Sequence, residues 1–364
     1  MENIVLFGGA FDPIHIGHIN SAEKASKQLS ADVFFIPARI SVWKSDSAPI
    51  EDKIAMIELA RQESASKDKL HISRYEADSK EVVNYSIDTV KYFKTQYPKA
   101  NLFLLIGTDQ VNSFHKWKDA DEIAELTTII FFSRPGLELD QNNIKRFKMM
   151  QIEGEEVDAS STDIRELKSL DVSDGVLHYI LHHYLYFINK IKGYMCEKRF
   201  EHTLSVTDLC IEIAKANKID NLEKIVISAL LHDIGKEMPM EEQKKIMVER
   251  YSEYLDLHPV IWHQFIGAYL AEKDFGIKDK EILDAIKYHT TANSNMSDTA
   301  IIVYCADKIE PTRGFDSTDL INAMKSSLNN GFVEVLKSNV EYYEKHKIDY
   351  KNKLQMSCLD QYLK

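Results

Sequence analysis

A change of hydrophobic rhythm near Phe187 limits what this 364-residue chain can fold into more than any other feature. Ahead of it, short β-branched and aromatic runs at Ile4–Phe7, Val33–Pro37, Leu70–Tyr75, Leu102–Ile106 and Thr128–Ser133 alternate with longer helical patterns. Strands separated by helices pack as a parallel sheet with helices over both faces. Beyond Phe187 the strand-like runs stop, and amphipathic helical patterns follow at Glu201–Asn217, Leu222–Leu231, His263–Asp274 and Lys280–Tyr288. The length suits two domains, and the rhythm predicts an α/β domain over residues 1–187 followed by an all-α bundle over 188–364.

Charge and cysteine usage narrow the class. The chain carries 45 Lys and Arg against 57 Asp and Glu, a formal charge of −12, and both halves are acidic, −8 before residue 189 and −4 after it. No general cationic field exists to hold nucleic acid or an anionic membrane. The four cysteines, Cys196, Cys210, Cys305 and Cys358, all fall in the second half without a CxxC pair, a poor basis for a disulfide framework or a thiolate zinc site. The opening MENIVLFGGA lacks the basic and apolar segments of a signal peptide, and no later run approaches the ~20 apolar residues of a bilayer span. The expectation is a cytoplasmic protein.

Two constellations carry chemistry. In the first, strand Ile4–Phe7 runs into GGAFDPIHIGH, where Gly8 and Gly9 allow a sharp turn and close approach to a phosphate. His15 and His18 share a face at a helix start, beside unsatisfied N–H groups, and Gly17 leaves room for a triphosphate. An isolated HxxH is ordinarily a pair of caps; the glycines, Asp12-Pro13 and the preceding strand make it a nucleotide-site signature. Far along the chain SSTDIR offers the hydroxyls of Ser160, Ser161 and Thr162 at a helix N-terminus, with Arg165 one turn in, the other jaw of an anion clamp.

These residues resemble the nucleotidyltransferases with HxGH and S-S-T-x-I-R motifs, and most closely the nicotinate-nucleotide adenylyltransferases. The resemblance rests on GGAFDPIHIGH, FIPA (35–38), NYSIDTV (84–90), LLIGTDQ (104–110), KW (116–117), SRPG (133–136) and SSTDIR, in order. It implies a Rossmann-like fold and Mg2+-dependent transfer of an adenylyl group from ATP to nicotinate mononucleotide. By the same resemblance Gly8, Gly9, Phe11, His15, Gly17, His18, Gly107, Asp109, Ser161, Thr162 and Arg165 bind ATP, with His15, His18 and Arg165 catalytic. Asp12, Lys44, Tyr85, Ser86, Asp109 and Trp117 bind the nicotinate substrate. The chain departs from the family at ARISVWK, where Trp43 replaces a histidine before Lys44, and at Lys118, a position often aromatic. His15-Ile16-Gly17-His18 is also the signature of class I aminoacyl-tRNA synthetases, but no KMSKS-like lysine loop follows and the acidic charge does not attract tRNA.

The second constellation is His202, the doublet His232-Asp233, His263, His289 and Asp307, mostly within apolar helical patterns. Imidazole and carboxylate are transition-metal ligands, and a His-Asp pair after the apolar ALL stretch is costly to desolvate without a metal or partner. LLHDIGK resembles the central motif of the HD-domain metal-dependent phosphohydrolases. The extra His263 and His289 resemble the dinuclear subgroup, in which Asp233 bridges two divalent ions, iron or manganese, that activate a shared water. Together with ADKIEPTR (306–313), the chain resembles most closely the YqeK-type hydrolases that split diadenosine tetraphosphate into two ADP. Lys236 then joins Asp233 as catalytic and Arg313 contacts the polyphosphate. The reading is a bifunctional enzyme; the alternative is an HD half that acts on another nucleotide or senses one without turnover. The oligomeric state is not legible.

Overall fold

Both faces of the first half's strands are apolar, and the chain answers with a sheet covered on both sides. The computed structural model describes residues 2–39, 47–81, 83–133, 138–155 and 157–363. It divides into two compact units, Met1–Tyr186 and Phe187–Lys364.

The first unit holds strands β1 (Asn3–Gly9), β2 (Asp32–Pro37), β3 (Leu70–Ile72), β4 (Asn101–Ile106), β5 (Thr128–Ser133) and β6 (Met150–Glu155). All neighbours are parallel, in the order β3-β2-β1-β4-β5-β6. Its helices are α1 (Ile16–Leu29), α2 (Ile50–Glu63), α3 (Ser86–Gln96), α4 (Thr108–Ser113), α5 (Ala120–Leu126), α6 (Gln141–Arg146), α7 (Ser161–Arg165) and α8 (Asp174–His182). Ile4, Val5 and Leu6 are all fully buried, the signature of a strand with helices over each face. Two strand expectations need correction. The run expected over Leu70–Tyr75 leaves the sheet after Ile72, because β3 is an edge strand with only three residues paired to β2. β6 was not expected, since MQIEGE lacks an apolar run; it joins the far edge, its polar residues tolerated there.

The second unit is helical: α9 (Phe187–Lys192), α10 (Glu197–Ala216), α11 (Leu222–Leu231), α12 (Met240–Arg250), α13 (His263–Phe275), α14 (Lys280–Tyr288), α15 (Asp298–Ile309), α16 (Thr318–Ser326), α17 (Leu328–His346) and α18 (Lys353–Tyr362). α15 is buried over ten of its residues and forms the axis around which α10, α11 and α17 pack, through Cys210, Ile213, Ala229, Ile302, Cys305 and Phe332. Cys210, Cys305 and Cys358 act here as small apolar side chains.

One close approach fixes the architecture. A Cβ on Gly235, two residues past Asp233, would lie 2.7 Å from both the Gly267 nitrogen and the His263 carbonyl oxygen. That contact seats the His232-Asp233 turn directly on α13. Gly235→Ala is expected to cost roughly 1–3 kcal/mol by overpacking, and to weaken metal retention along with stability. Denaturant unfolding and metal analysis of the variant check this; an unchanged midpoint contradicts the packing.

Candidate functional site

The first site forms where strand order reverses. β1 and β4 are neighbours, but β1 continues to β2 on one side and β4 to β5 on the other. Such a switch point opens a crevice outside the carboxyl ends of the strands. Here it is a cavity of about 270 Å³ lined by Gly8, Gly9, Phe11, His15, Gly17, His18, Gly107 and Asp109, the last exposed at the start of α4.

The turn expected at Gly8-Gly9 lies later in the chain. Both glycines stay in β1, held extended by pairing with Ile36 and Pro37. The backbone reverses instead at Phe11, with φ +45°, and at the cis Asp12-Pro13 bond. What the glycines contribute is absence of bulk. A Cβ on Gly9 would approach the Phe11 ring to 3.0 Å, whereas one on Gly8 would meet nothing within 4 Å. Gly17 is just as tightly required, since its Cβ would lie 3.0 Å from His15 Nδ1 and 3.1 Å from the Val157 carbonyl oxygen.

His15 caps α1, and its ring stacks on His18 at 3.6 Å between centroids. The His15 backbone N–H donates to His18 Nδ1 at 3.2 Å, which puts the proton of a neutral His18 ring on Nε2. Burial, aided by His15, pushes the His18 pKa well below its ordinary value, so the ring is neutral near pH 7.

The remaining predicted residues of this unit divide by location. Ser161 Oγ donates to the Pro13 carbonyl at 2.9 Å, and Arg165 donates to the Asp12 carbonyl and, at 3.0 Å, to Thr162 Oγ1. The SSTDIR helix is thus fastened to the loop that precedes His15. Asp12 is a buried brace away from the cavity lining; its Oδ1 accepts from the Ala48 N–H at 3.1 Å and from the Tyr186 hydroxyl at 2.8 Å. Tyr85 caps α3, Ser86 opens it, and the Lys118 ammonium lies 4.1 Å from the Tyr85 ring centroid, which joins this helix start to the segment bearing Trp117. Trp117 itself packs on Phe114. Lys44 and Trp43 lie outside the described residues.

The second site gathers residues from five helices, four of them contributing at or near an end. His202 sits on α10, His232 caps α11, Asp233 begins the turn after it, His263 opens α13, His289 caps α14 and Asp307 lies near the end of α15. They line a cavity of about 740 Å³ except for His232, which is wholly buried behind it. Two groups have ligand atoms mutually within 4.8 Å, one of His202, His232 and Asp233 and one of Asp233, His263 and His289. Asp233 belongs to both. Its Oδ2 faces His232 Nε2 at 3.8 Å, while its Oδ1 lies 3.5 Å from Nε2 of both His263 and His289. Asp307 Oδ1 extends the first group, 3.1 Å from His202 Nε2 and 3.8 Å from His232 Nε2.

Every histidine presents the same nitrogen inward. Nδ1 of His232, His263 and His289 bonds the backbone carbonyls of Ala229, Val260 and Ile286 at 2.6, 2.9 and 2.7 Å. Nδ1 of His202 bonds Glu310 at 2.9 Å. Each outer acceptor fixes the tautomer whose Nε2 lone pair can bind a metal. The fit has a sharper witness in His232 Nε2, a buried nitrogen with no hydrogen-bond partner. Burial drives the His232 pKa down to about 4, keeping it a neutral donor of that lone pair. Burial works to raise the Asp307 carboxyl, but Lys308, His202 and Arg313 outweigh it and hold the group ionised.

Lys236 and Arg313 both line the cavity, Lys236 with its ammonium 3.1 Å from His263 Nε2. Three further residues were missed. Arg199 holds Asp233, Lys308 lies 2.8 Å from Asp307, and Glu310 is buried beneath His202. Lys308 and Glu310 stand inside the ADKIEPTR segment, whereas Arg199 carried no signal beyond its place three residues before His202, on the same helix face.

A parallel switch-point sheet with a stacked histidine pair defines a nucleotidyltransferase-type domain, and the paired His/Asp groups define an HD-type metal domain. The comparisons agree: residues 6–167 match the cytidylyltransferase-like model and residues 199–312 the HD domain model. A Mycoplasma genitalium protein named "Probable nicotinate-nucleotide adenylyltransferase/Ap4A hydrolase" is 31% identical over 92% of this chain and 97% of its own. A Bacillus subtilis symmetrical bis(5'-nucleosyl)-tetraphosphatase is 34% identical over 43% of this chain and 84% of its own. A "Probable nicotinate-nucleotide adenylyltransferase" of Clostridium tetani is 33% identical over 48% of this chain and 92% of its own. The chain belongs to the family in which a nicotinate-nucleotide adenylyltransferase-type domain precedes an HD domain on one polypeptide. The HD domain implies a divalent metal. Among the described residues, no helix is long and apolar enough to cross a membrane.

Two outcomes follow from the second site. The neutral His232 has a folded pKa of about 4, below the ~6.5 of an unfolded histidine, so between these values only the unfolded chain binds the proton. Stability therefore falls as pH drops through this window, by up to roughly 3 kcal/mol for this group. Calorimetry of the chelator-treated chain from pH 7 to 4.5 reads it, and a flat midpoint contradicts a buried neutral ring. Glu310→Gln is expected to weaken metal affinity by roughly 10- to 100-fold through loss of the His202 anchor, measured by competition with a metallochromic dye.

Proposed function

We propose that this chain is a bifunctional enzyme. One domain transfers an adenylyl group from ATP to nicotinate mononucleotide, releasing pyrophosphate; the other hydrolyses diadenosine tetraphosphate symmetrically to two ADP. The observation that carries the reading is Asp233, one buried carboxylate common to two three-residue candidate metal groups in the lining of a cavity of about 740 Å³.

In the adenylyl transfer, the substrate's own phosphate oxygen attacks the α-phosphorus and pyrophosphate leaves, so no nucleophilic side chain is needed. His18 donates through Nε2–H to an α-phosphate oxygen, a neutral donor whose orientation the His15 amide already sets. His15, stacked on it, keeps that ring from rotating. Arg165 and the amides of Ser161 and Thr162 hold the β- and γ-phosphates, with Mg2+ accompanying ATP. Asp109 reaches a ribose hydroxyl, and Tyr85, Ser86 and Trp117 take the nicotinate ring, where the Lys118 ammonium favours the acid over the amide. Asp12 acts at a distance, by bracing the loop before His15.

In the hydrolase domain, His202, His232, Asp233 and Asp307 would hold one divalent ion, and Asp233, His263 and His289 a second. Bound there, such ions, iron or manganese by the thiolate-free ligand set, would supply positive charge and a water of lowered pKa. Water oxygen bonds to one central phosphorus, the oxygen bridge between the two central phosphates breaks, and ADP leaves from each side. Lys236 lies beside His263, where it neutralises charge on the departing oxygen, and Arg313 binds the chain of phosphates. The cytoplasm is the compartment whose reducing poise the four free cysteines fit.

Single substitutions in the full chain separate the two activities. Asp233→Ala is expected to lose at least ~100-fold of Mn2+-dependent diadenosine tetraphosphate cleavage, and His18→Ala a similar factor of deamido-NAD formation, each sparing the other reaction. Chromatography of the nucleotides decides. ATP plus AMP as products overturns the symmetric cut, and hydrolysis that survives Asp233→Ala overturns the metal site.

A further inference from the structure

Two arginines bond carboxylate oxygens that face only the His202–His232 side of the site. An Arg199 Nη1 bonds Asp233 Oδ2, the oxygen facing His232, and an Arg313 Nη2 bonds Asp307 Oδ1, the oxygen facing His202. The other group uses Asp233 Oδ1 with His263 and His289, and no arginine bonds that oxygen among the described residues. Arg199 also pairs through its Nε with Glu237 at 3.4 Å, without hydrogen-bond geometry. Its side chain lines the cavity, three residues before His202 on the same face of α10.

A carboxylate oxygen cannot serve a guanidinium and a divalent ion together at full strength, because each neutralises the charge that attracts the other. An ion seated between His202, His232 and Asp233 therefore weakens the hold on Arg199 and leaves a planar fork, suited to bidentate phosphate binding, at the cavity wall. We infer that Arg199 is a polyphosphate-binding residue of the hydrolase site, and that by competing for Asp233 it couples binding of the ion at the His202–His232–Asp233 group to binding of the phosphate chain. The coupling is reciprocal: a phosphate that draws Arg199 away also frees Asp233 for the ion. The two ions consequently differ in affinity, the arginine-contested one being the weaker. The inference rests on the hydrolase reading above and names a residue and a linkage which that reading lacks.

The test uses the full chain with Arg199→Ala, Arg199→Gln and Arg199→Lys. Calorimetric titration with Mn2+ alone, without nucleotide, is expected to show the weaker of two ions bound several-fold tighter in Arg199→Ala and the tighter ion unchanged. ADP binding to the Mn2+-saturated variant is expected to weaken roughly 10- to 100-fold, the loss of charged hydrogen bonds. KM for diadenosine tetraphosphate should rise in parallel while kcat stays within a few-fold, and Arg199→Lys should recover part of the ADP affinity. Deamido-NAD formation and the helical spectrum report folding; if Arg199→Ala fails them, Arg199→Gln carries the same expectations. Unchanged or weaker Mn2+ binding reduces Arg199 to a brace for Asp233 and overturns the inference. ADP affinity unchanged in the alanine and glutamine variants overturns it equally. Failure of the unaltered chain to cleave diadenosine tetraphosphate would sink the substrate reading alone, since the Mn2+ and ADP titrations still decide the role of Arg199.

Discussion

Asp233 is a nearly buried carboxylate ringed by imidazoles, and the second domain is built around the problem it poses. An ionised group removed from water costs several kcal/mol unless charge or hydrogen bonds replace the solvent. Here replacement comes from separate helices, most delivering a ligand at an end or in the turn beyond, with His202 projecting from within α10. The arrangement demands close backbone contact, which is why Gly235 sits against α13 and why α15, bearing Asp307, is buried along most of its length. Cations fill the same role locally: Arg199, Arg313 and Lys308 stand on the two carboxylates of the candidate metal groups. A centre of this kind is stable and reactive for the same reason, since groups that attract divalent ions also compete with the surrounding cations.

The first domain builds its cavity differently, from a strand end and a helix start with the buried Asp12 set back from the lining. Extended pairing of β1 with β2 carries Gly8 and Gly9 to the cavity, and the reversal at Phe11 returns the chain so that α1 begins at the cavity wall. On the proposed reading the donors are backbone amides, the neutral His18 imidazole and the Arg165 guanidinium. On the same proposed reading both domains act on phosphate chains by positioning and electrostatics, with the nucleophile a substrate phosphate in one and water in the other.

The motifs were legible in the sequence because each depends on local chemistry. Strand, glycine pair and HxGH lie within sixteen residues, and His232-Asp233 follows directly on an apolar helix, so residue type and spacing alone identify them. Central strands and Leu222–Leu231 were readable as largely apolar runs, and Lys280–Tyr288 by the helical spacing of Ile282, Ala285 and Ile286. Where local pattern and partner disagreed, the partner won. β6 pairs without an apolar run, the strand expected to reach Tyr75 ends where β2 stops pairing with it, and the glycine turn was moved to Phe11 by the ladder with β2.

The sequence by itself determined the two chemistries, through side chains whose functional groups and spacing leave few other uses. Only the tertiary structure decided which atoms meet. It made Asp233 common to two metal groups, set Glu310 beneath His202, drew Arg199 onto one oxygen and not the other, and turned Asp12 from an expected substrate contact into a brace. These are matters of distance between segments far apart in the chain, up to 174 residues for Asp12 and Tyr186. Such distances are set by how helices and strands pack, which spacing along the chain does not encode.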